Sequence, residues 1–340
     1  MGIFCLINVS KDGNDEFVAE DIVSGLIKYA VDENTTFKKI TVSLKGIGRI
    51  RIINRQTKEC PEFTTKEEYV DIDNVIVDNE VTLPIGEYET KFSFELPKDI
   101  PSSFAYCSSE SDYYIKCKIY YYIRIKFDRP GILKLPVRYK KVFTVRPYLT
   151  PSLPKELTMY GKHKKIVKLF SGNNTISIKA GIENSVISGG ETVKFCYEIL
   201  NDTNVTIKGV QVKLVEAHKF KAKGLHSVKR LNKVEGTQSK TAQIKGGNSQ
   251  EMDFQITIPT DKATLQHSKI AVRYYYINVK VLLPLLRQNF TLQIPIEVGN
   301  TVVPEVPETE DFEPPPSYWK TMDECKNSKL FDDDWTDDEL

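Results

Sequence analysis

From Tyr113 to Phe127 the chain alternates with a period of two. Tyr113, Ile115, Cys117, Ile119, Tyr121, Ile123, Ile125 and Phe127 fall on one side, and Tyr114, Lys116, Lys118, Tyr120, Tyr122, Arg124 and Lys126 on the other. Side chains of a strand point alternately to opposite faces, so the pattern predicts one long strand with a buried face and a solvated one. Related alternation predicts strands over Ile3–Val9, Val23–Val31, Lys39–Ile47, Glu89–Leu96, Lys141–Val145, Thr192–Leu200, Gly209–Val215, Met252–Ile258 and Gln288–Val298. Turn signals such as Asp12-Gly13-Asn14 and Ser188-Gly189-Gly190 separate them, and no segment shows a capped amphipathic helix. Many short alternating strands between turns predict an all-β chain of immunoglobulin-type β-sandwiches.

The pattern also repeats. Tyr120-Tyr-Tyr-Ile-Arg-Ile-Lys-Phe127 returns 154 residues later as Tyr274-Tyr-Tyr-Ile-Asn-Val-Lys-Val281. Before each copy stands an aromatic strand ending in an aliphatic-Pro step, Phe92–Pro97 and Phe254–Pro259. After each comes a closing strand, Phe143–Pro147 and Phe290–Pro295. Further upstream, Phe37–Leu44 parallels Ile207–Leu214. A chance likeness between strands explains one match but not four in the same order, so the chain holds two copies of one sandwich. The seam falls in Pro147-Tyr-Leu-Thr-Pro-Ser-Leu-Pro154, where three prolines stiffen a short linker. The expected organisation is an N-terminal sandwich over 1–147, a C-terminal one over 155–299, and a tail over 300–340.

Composition agrees with two domains and adds an asymmetry. The 340 residues are 40% hydrophobic and 27% charged, ordinary for a globular chain of this length. There is no run of 18 apolar residues, and the start Met1-Gly2-Ile3-Phe4-Cys5-Leu6 lacks the form of a secretory leader, so a cytoplasmic protein is expected. Leu6 stands where a myristoylation motif needs Ser or Thr. Sequons at Asn34, Asn204 and Asn289 are therefore read as turn and strand-edge residues without glycan. The six cysteines form no Cys-x-x-Cys pair and are read as free or buried thiols. The net charge of +1 conceals a tail, 301–340, with 13 acids and 3 bases, against a body with 44 bases and 33 acids. Such a body suits anionic surfaces or acidic peptides.

Enzyme chemistry finds no residues to carry it. None of the four histidines (His163, His218, His226, His267) stands in a metal-binding motif, and nucleophile-elbow, Walker and dinucleotide glycine patterns are absent. No catalytic residue, metal or cofactor is expected. Nucleic acid is not an expected partner either, because the most basic segment holds a single aromatic, Phe220. That segment, 217–247, carries Lys219, Lys221, Lys223, Lys229, Arg230, Lys233, Lys240 and Lys245 with only Glu235 as an acid. It reads as an anionic-lipid or phosphate patch, or as a long solvated hairpin, and the residues leave both open.

The order of these segments resembles the arrestin domain-containing proteins, the α-arrestins, over nearly the whole body. The resemblance rests on Leu83-Pro-x-Gly86, Phe92-x-Phe-x-Leu-Pro97, Ile100-Pro-Ser-Ser-Phe104 and the tyrosine-rich strand. In the second half it rests on Ser188-Gly-Gly-Glu191, Asn201 and Leu292-Gln-Ile-Pro-Ile-Glu-Val-Gly299. It implies a curved pair of arrestin-like sandwiches that bind cytosolic parts of membrane receptors or transporters. It also implies their delivery for ubiquitination, endocytosis and endosomal sorting, on the cytoplasmic side of the plasma membrane and endosomes. A retromer-type coat or structural scaffold shares the architecture and is the alternative. A phosphate-sensing arrestin would need a buried charged cluster, which no stretch of the sequence singles out.

The tail carries one sharp motif, Pro315-Pro316-Ser317-Tyr318, preceded by Pro314. Consecutive prolines preform a polyproline II ridge that fits the aromatic groove of a WW domain, and Tyr318 fills the neighbouring pocket. In α-arrestins such motifs recruit HECT-type ubiquitin ligases through their WW domains. That family often has two copies and this chain has one, so any avidity from a second copy is missing.

Overall fold

The computed structural model describes residues 2–10, 16–109, 112–131, 135–166, 174–234, 236–285 and 287–300. Among them there is no helix, and the fold is all-β. The first half runs β1 (Ile3–Ser10), β2 (Glu16–Phe17), β3 (Ile22–Val31), β4 (Thr35–Phe37), β5 (Lys39–Asn54), β6 (Glu62–Val77), β7 (Val81–Leu83), β8 (Gly86–Glu95), β9 (Phe104–Ser109), β10 (Tyr113–Asp128) and β11 (Val137–Val145). The second runs β12 (Thr158–Lys165), β13 (Thr175–Ile182), β14 (Val186–Ile187), β15 (Thr192–Asp202), β16 (Gly209–Phe220), β17 (Val228–Lys233), β18 (Ser239–Lys240), β19 (Ser249–Thr257), β20 (Ala271–Leu282) and β21 (Phe290–Val298). Residues 146–157 between the two halves hold no strand.

Each half is a sandwich of two sheets, and the halves follow one plan. The larger sheet is ordered β2-β11-β10-β5-β6 in the first and β14-β21-β20-β16-β17 in the second. The facing sheets are β1-β3-β8 and β12-β13-β15-β19. Even the smallest irregularity recurs: a two-residue strand joins the last long strand in parallel, Phe17 beside Val145 and Ile187 beside Val298.

The alternation in the tyrosine-rich segment sets the cores. On β10, Ile115, Cys117, Ile119, Tyr121, Ile123, Ile125 and Phe127 are all buried, while Lys116, Lys118, Arg124 and Lys126 stay partly exposed on the other face. Burying one aliphatic or aromatic side chain is worth about 1.5–3 kcal/mol, so this inner face holds the sheet to its partner. Burial also pushes the Cys117 thiol up to about 12, which leaves it protonated and inert. Tyr121 lies opposite Gly46, where a Cβ would stand 2.5 Å from its ring, so only glycine admits the phenol. Its hydroxyl then donates to the Pro101 carbonyl at 2.5 Å. In the second core the equivalent centre is Ile277, Val279 and Val281 on β20 facing Ile178, Tyr197 and Ile199.

Candidate functional site

The sequence points to two surfaces, and the fold treats them differently. Pro315, Pro316 and Tyr318 lie outside the described residues. The basic segment forms the β16–β17 hairpin, but strand parity divides its charges. Lys219 lies directly opposite Lys229, and Lys233 opposite Val215, all on the outer face of the sheet. There Lys229 sits 5.4 Å from the Tyr274 ring and 5.9 Å from the Tyr276 ring, and hydrogen bonding to Tyr274 raises its pKa. Arg230, one residue on, faces the other way and covers the Tyr113 ring of the first domain at 5.6 Å. Lys221 and Lys223 lie in the turn after β16, both exposed, where the Lys223 backbone N–H donates to Thr65 at 2.7 Å. Lys219, Lys229 and Lys233 therefore share one face, and Arg230 belongs to the domain junction.

That junction is the most elaborate polar site among the described residues. On the inner face of β16 the apolar series Val210, Val212 and Leu214 continues as Glu216, His218 and Phe220, all buried. A carboxylate and an imidazole occupy these inward positions because they lie beyond the second domain's own core, where Glu216 finds Tyr275 and Lys262 and His218 meets rings of the first domain. His218 and Phe220 stack on each other and pack at a tilt against β9, His218 on Phe104 and Tyr106 and Phe220 on Tyr106, with ring centroids 4.6 to 6.0 Å apart. The hydrophobic cluster of the first domain runs on through Phe220, Ala222, Leu265, Ile270 and Ala271 of the second.

Electrostatics at this site follow from burial. Desolvation pulls His218 down to about 4 against the opposing pull of Glu216, so the ring is neutral at physiological pH. Burial alone would raise Glu216. His218 as it takes up a proton, the charges of Lys262 and Arg273, and a hydrogen bond from Tyr275 hold it below the ordinary carboxylate range. The Tyr275 hydroxyl donates to Glu216 at 3.0 Å and Lys262 lies 3.5 Å away. Arg273 covers the Phe104 ring at 5.6 Å.

A second carboxylate ties the domains from the other side. Glu67 on β6 accepts from the Tyr69 hydroxyl (2.9 Å), the Ser268 hydroxyl (3.2 Å) and the backbone N–H groups of Lys269 (2.9 Å) and Ile270 (3.3 Å). The turn it caps enters through His267 at φ 62°, a left-handed conformation that histidine tolerates better than most residues. The linker is held as well. Glu297 accepts from the backbone of Ser152 and Leu153, and Leu149 N–H donates to the Asn300 carbonyl.

Two sandwiches of one plan, a parallel two-residue strand in each and a polar junction between them accord with the family models. Residues 5–151 match the arrestin (or S-antigen) N-terminal domain and residues 172–302 the arrestin (or S-antigen) C-terminal domain. The chain belongs to the arrestin family. No curated protein matches it significantly. Its arrestin domains support a role as a trafficking adaptor or scaffold, and such domains are typically non-catalytic. Among the described residues no His, Cys, Asp and Glu gather in a set that could hold a metal, and no helix is long and apolar enough to cross a membrane.

Reasoning from sequence missed Glu67, Ser268, Glu216 and Tyr275 as junction residues. A signal for one of them was present: Glu216, with His218 two residues on, falls in phase with Val210, Val212 and Leu214, where a solvated strand end would carry no phase at all. The signal for Glu67 was fainter: it falls in phase with Phe63, Thr65 and Tyr69, but that face of β6 is only half-buried.

Proposed function

We propose that this arrestin-domain protein is an α-arrestin adaptor that links membrane cargo to a WW-domain HECT-type ubiquitin ligase. In this reading the two sandwiches engage cytosolic parts of receptors or transporters. Pro315, Pro316 and Tyr318 dock the ligase, and cargo is passed to ubiquitination, endocytosis and endosomal sorting. The observation that carries the proposal is the Pro-Pro-x-Tyr sequence standing some 15 residues beyond the last strand of a two-domain arrestin body. A WW domain reads a preformed polyproline II ridge plus one tyrosine, and this sequence supplies both, Pro314 to Pro316 and Tyr318. Lys219, Lys229 and Lys233 on the outer face of the β16–β17 hairpin would supply peripheral contact with anionic membrane.

The second reading is an arrestin-like coat or structural scaffold that recruits no ligase. The hydrogen bonds that Glu67 accepts across the junction and Glu297 accepts from the linker are as compatible with a rigid strut as with an adaptor. Capture of the full-length protein on immobilised WW domains of a HECT ligase separates the two. The native chain should be retained and Tyr318→Ala lost. Equal retention of both would mean that the tail is not the docking site.

A further inference from the structure

A cleft of about 270 Å³ crosses the outer face of the second domain's large sheet. Buried Val215 and Tyr276 form its floor. Asn278, Thr291 and Gln293 line it on the β20–β21 side, and Lys213 and Lys233 on the β16–β17 side. No acid is among its lining residues.

Lys213 is the unusual member. Strand register puts Asn278 directly opposite it on β20, Lys280 one diagonal step away on that strand, and Lys233 one diagonal step away on β17. Such diagonals span about 7–8 Å. Lys240 on β18 takes a further diagonal, and β21 contributes no charge to the cleft. Glu235, the one acid of the hairpin, lies outside the described residues. Among the described residues Lys213 has no carboxylate in contact. Other lysines of these sheets are paired. Lys45, on the outer face of the first domain, bridges Asp71 and Asp73. Lys262 has Glu216 and Asp261, and their charges raise its pKa. Lys213 moves the other way: burial first, and then the charges of Lys233 and Lys280, pull it below the ordinary lysine range. A desolvated amine flanked by cations is a lysine activated as a nucleophile, because more of it is present as the neutral amine.

The same two cations decide which electrophile the site suits. A neutral acyl product would leave Lys233 and Lys280 without a counter-ion, whereas an anionic product is attracted to both. We propose that the Lys213 amine takes up carbon dioxide as a carbamate, held by Lys233 and Lys280. The nitrogen lone pair attacks the carbon and a C–N bond forms. The electron pair of one C–O double bond moves to oxygen as a carboxylate, and the nitrogen gives one proton to water. The step balances with carbon dioxide as the sole co-reactant. A negative charge then stands where a positive one stood, and repulsion from the two neighbours becomes attraction. The site is independent of the tail motif and of ligase recruitment.

The test uses the full chain in ¹³C-bicarbonate at mildly alkaline pH, read by ¹³C NMR and by trapping the carbamate as an alkyl ester for peptide mass spectrometry. Trapping locates the site, because the terminal amine of any chain, with an ordinary pKa of about 7.7–8.0, forms carbamates too. Lys213 should be labelled in the native protein, and Lys213→Arg should lose that label. Lys233→Gln and Lys280→Gln should each lower the labelled fraction at Lys213 roughly two- to fivefold, the scale for one exposed ion pair. Lys91→Gln with Lys98→Gln removes two exposed cations of the first domain and should leave the fraction unchanged. Thermal melts establish that each variant is folded. Should Lys213→Arg not fold, the native protein and the Lys233 and Lys280 variants decide the matter alone. Absence of label at Lys213 in the folded native protein would overturn the site. So would labelling there no greater than at exposed Lys91 and Lys98, or labelling indifferent to both Lys233 and Lys280.

Discussion

The central tyrosine triplets of the two domains occupy the same place in the same sheet and have acquired different neighbours. In the first, Tyr121 is buried in the core and donates to the carbonyl of Pro101, a neutral acceptor within its own domain. In the second, Tyr275 donates to the Glu216 carboxylate beside the junction. On the outer faces the contrast reverses. The row Lys140, Arg124 and Ser43 across β11, β10 and β5 corresponds to Gln293, Asn278 and Lys213 across β21, β20 and β16. The first domain is neutral within and strongly charged on its outer face. The second carries a buried carboxylate, Glu216, beside the junction, and at the equivalent outer positions it has two amides and one lysine. One fold copied twice has thus diverged where each copy meets something other than itself, which is where sites are expected on a shared scaffold.

The sharpest way to break the comparison is to remove the tyrosines. Tyr121→Ala and Tyr275→Ala should each destabilise by about 3–5 kcal/mol through the cavity left behind, measured by urea unfolding. The hydroxyl alone separates the domains. Tyr121→Phe forfeits one bond to a neutral carbonyl and should cost about 1 kcal/mol, whereas Tyr275→Phe strips a donor from a buried carboxylate and should cost about 2 kcal/mol. Equal costs would mean that Glu216 is satisfied without Tyr275.

The imidazole at the junction gives a pH dependence that the first domain has no group to match. The folded pKa of His218, about 4, lies below its ordinary value of 6.5, so folding favours the neutral ring. Its contribution is whole above pH 6.5 and declines as pH falls toward 4, by up to about 1.4 kcal/mol per unit. Glu216 is also depressed, and its contribution is lost only below the ordinary carboxylate value of 4.5. Between pH 6.5 and 4.5 the histidine therefore sets the slope. His218→Phe, which preserves the stack with Phe104, Tyr106 and Phe220, should flatten stability across that window. An unchanged slope would place the acid sensitivity elsewhere.

How much of this was legible follows from which positions alternate. Strand β10 announces itself because every inner residue is apolar and most outer ones are polar. Strand β16 is half legible. Its apolar phase predicts a strand to Val215, yet it runs to Phe220, since Glu216 and His218 keep the phase with polar groups. The first is held by Tyr275 and Lys262 of its own domain, and the second is packed on Phe104 and Tyr106 of the other. Strand β6 is scarcely legible, because it closes the edge of its sheet and only Val70 among its 16 residues is buried. It nonetheless carries Glu67. The basic hairpin shows the opposite limit: counting lysines along 217–247 groups Lys229 with Arg230, and strand parity sends them to opposite faces. Local pattern reports a residue's face, and tertiary contact decides what that face meets.

The smallest expected effect concerns the capped turn between the domains. Glu67 is half-exposed, so the four donors it accepts are partly served by water once it is gone. Glu67→Ala should therefore cost about 2 kcal/mol or less, near the lower end for hydrogen bonds to a charged group. Its signature is local. The N–H groups of Lys269 and Ile270 lose their acceptor while strands β10 and β20 keep theirs, so amide exchange should quicken in the turn and remain slow in both cores. Exchange that quickened throughout the second domain would show instead that the capped turn holds that domain's core, and that the two copies are less independent than their shared plan implies.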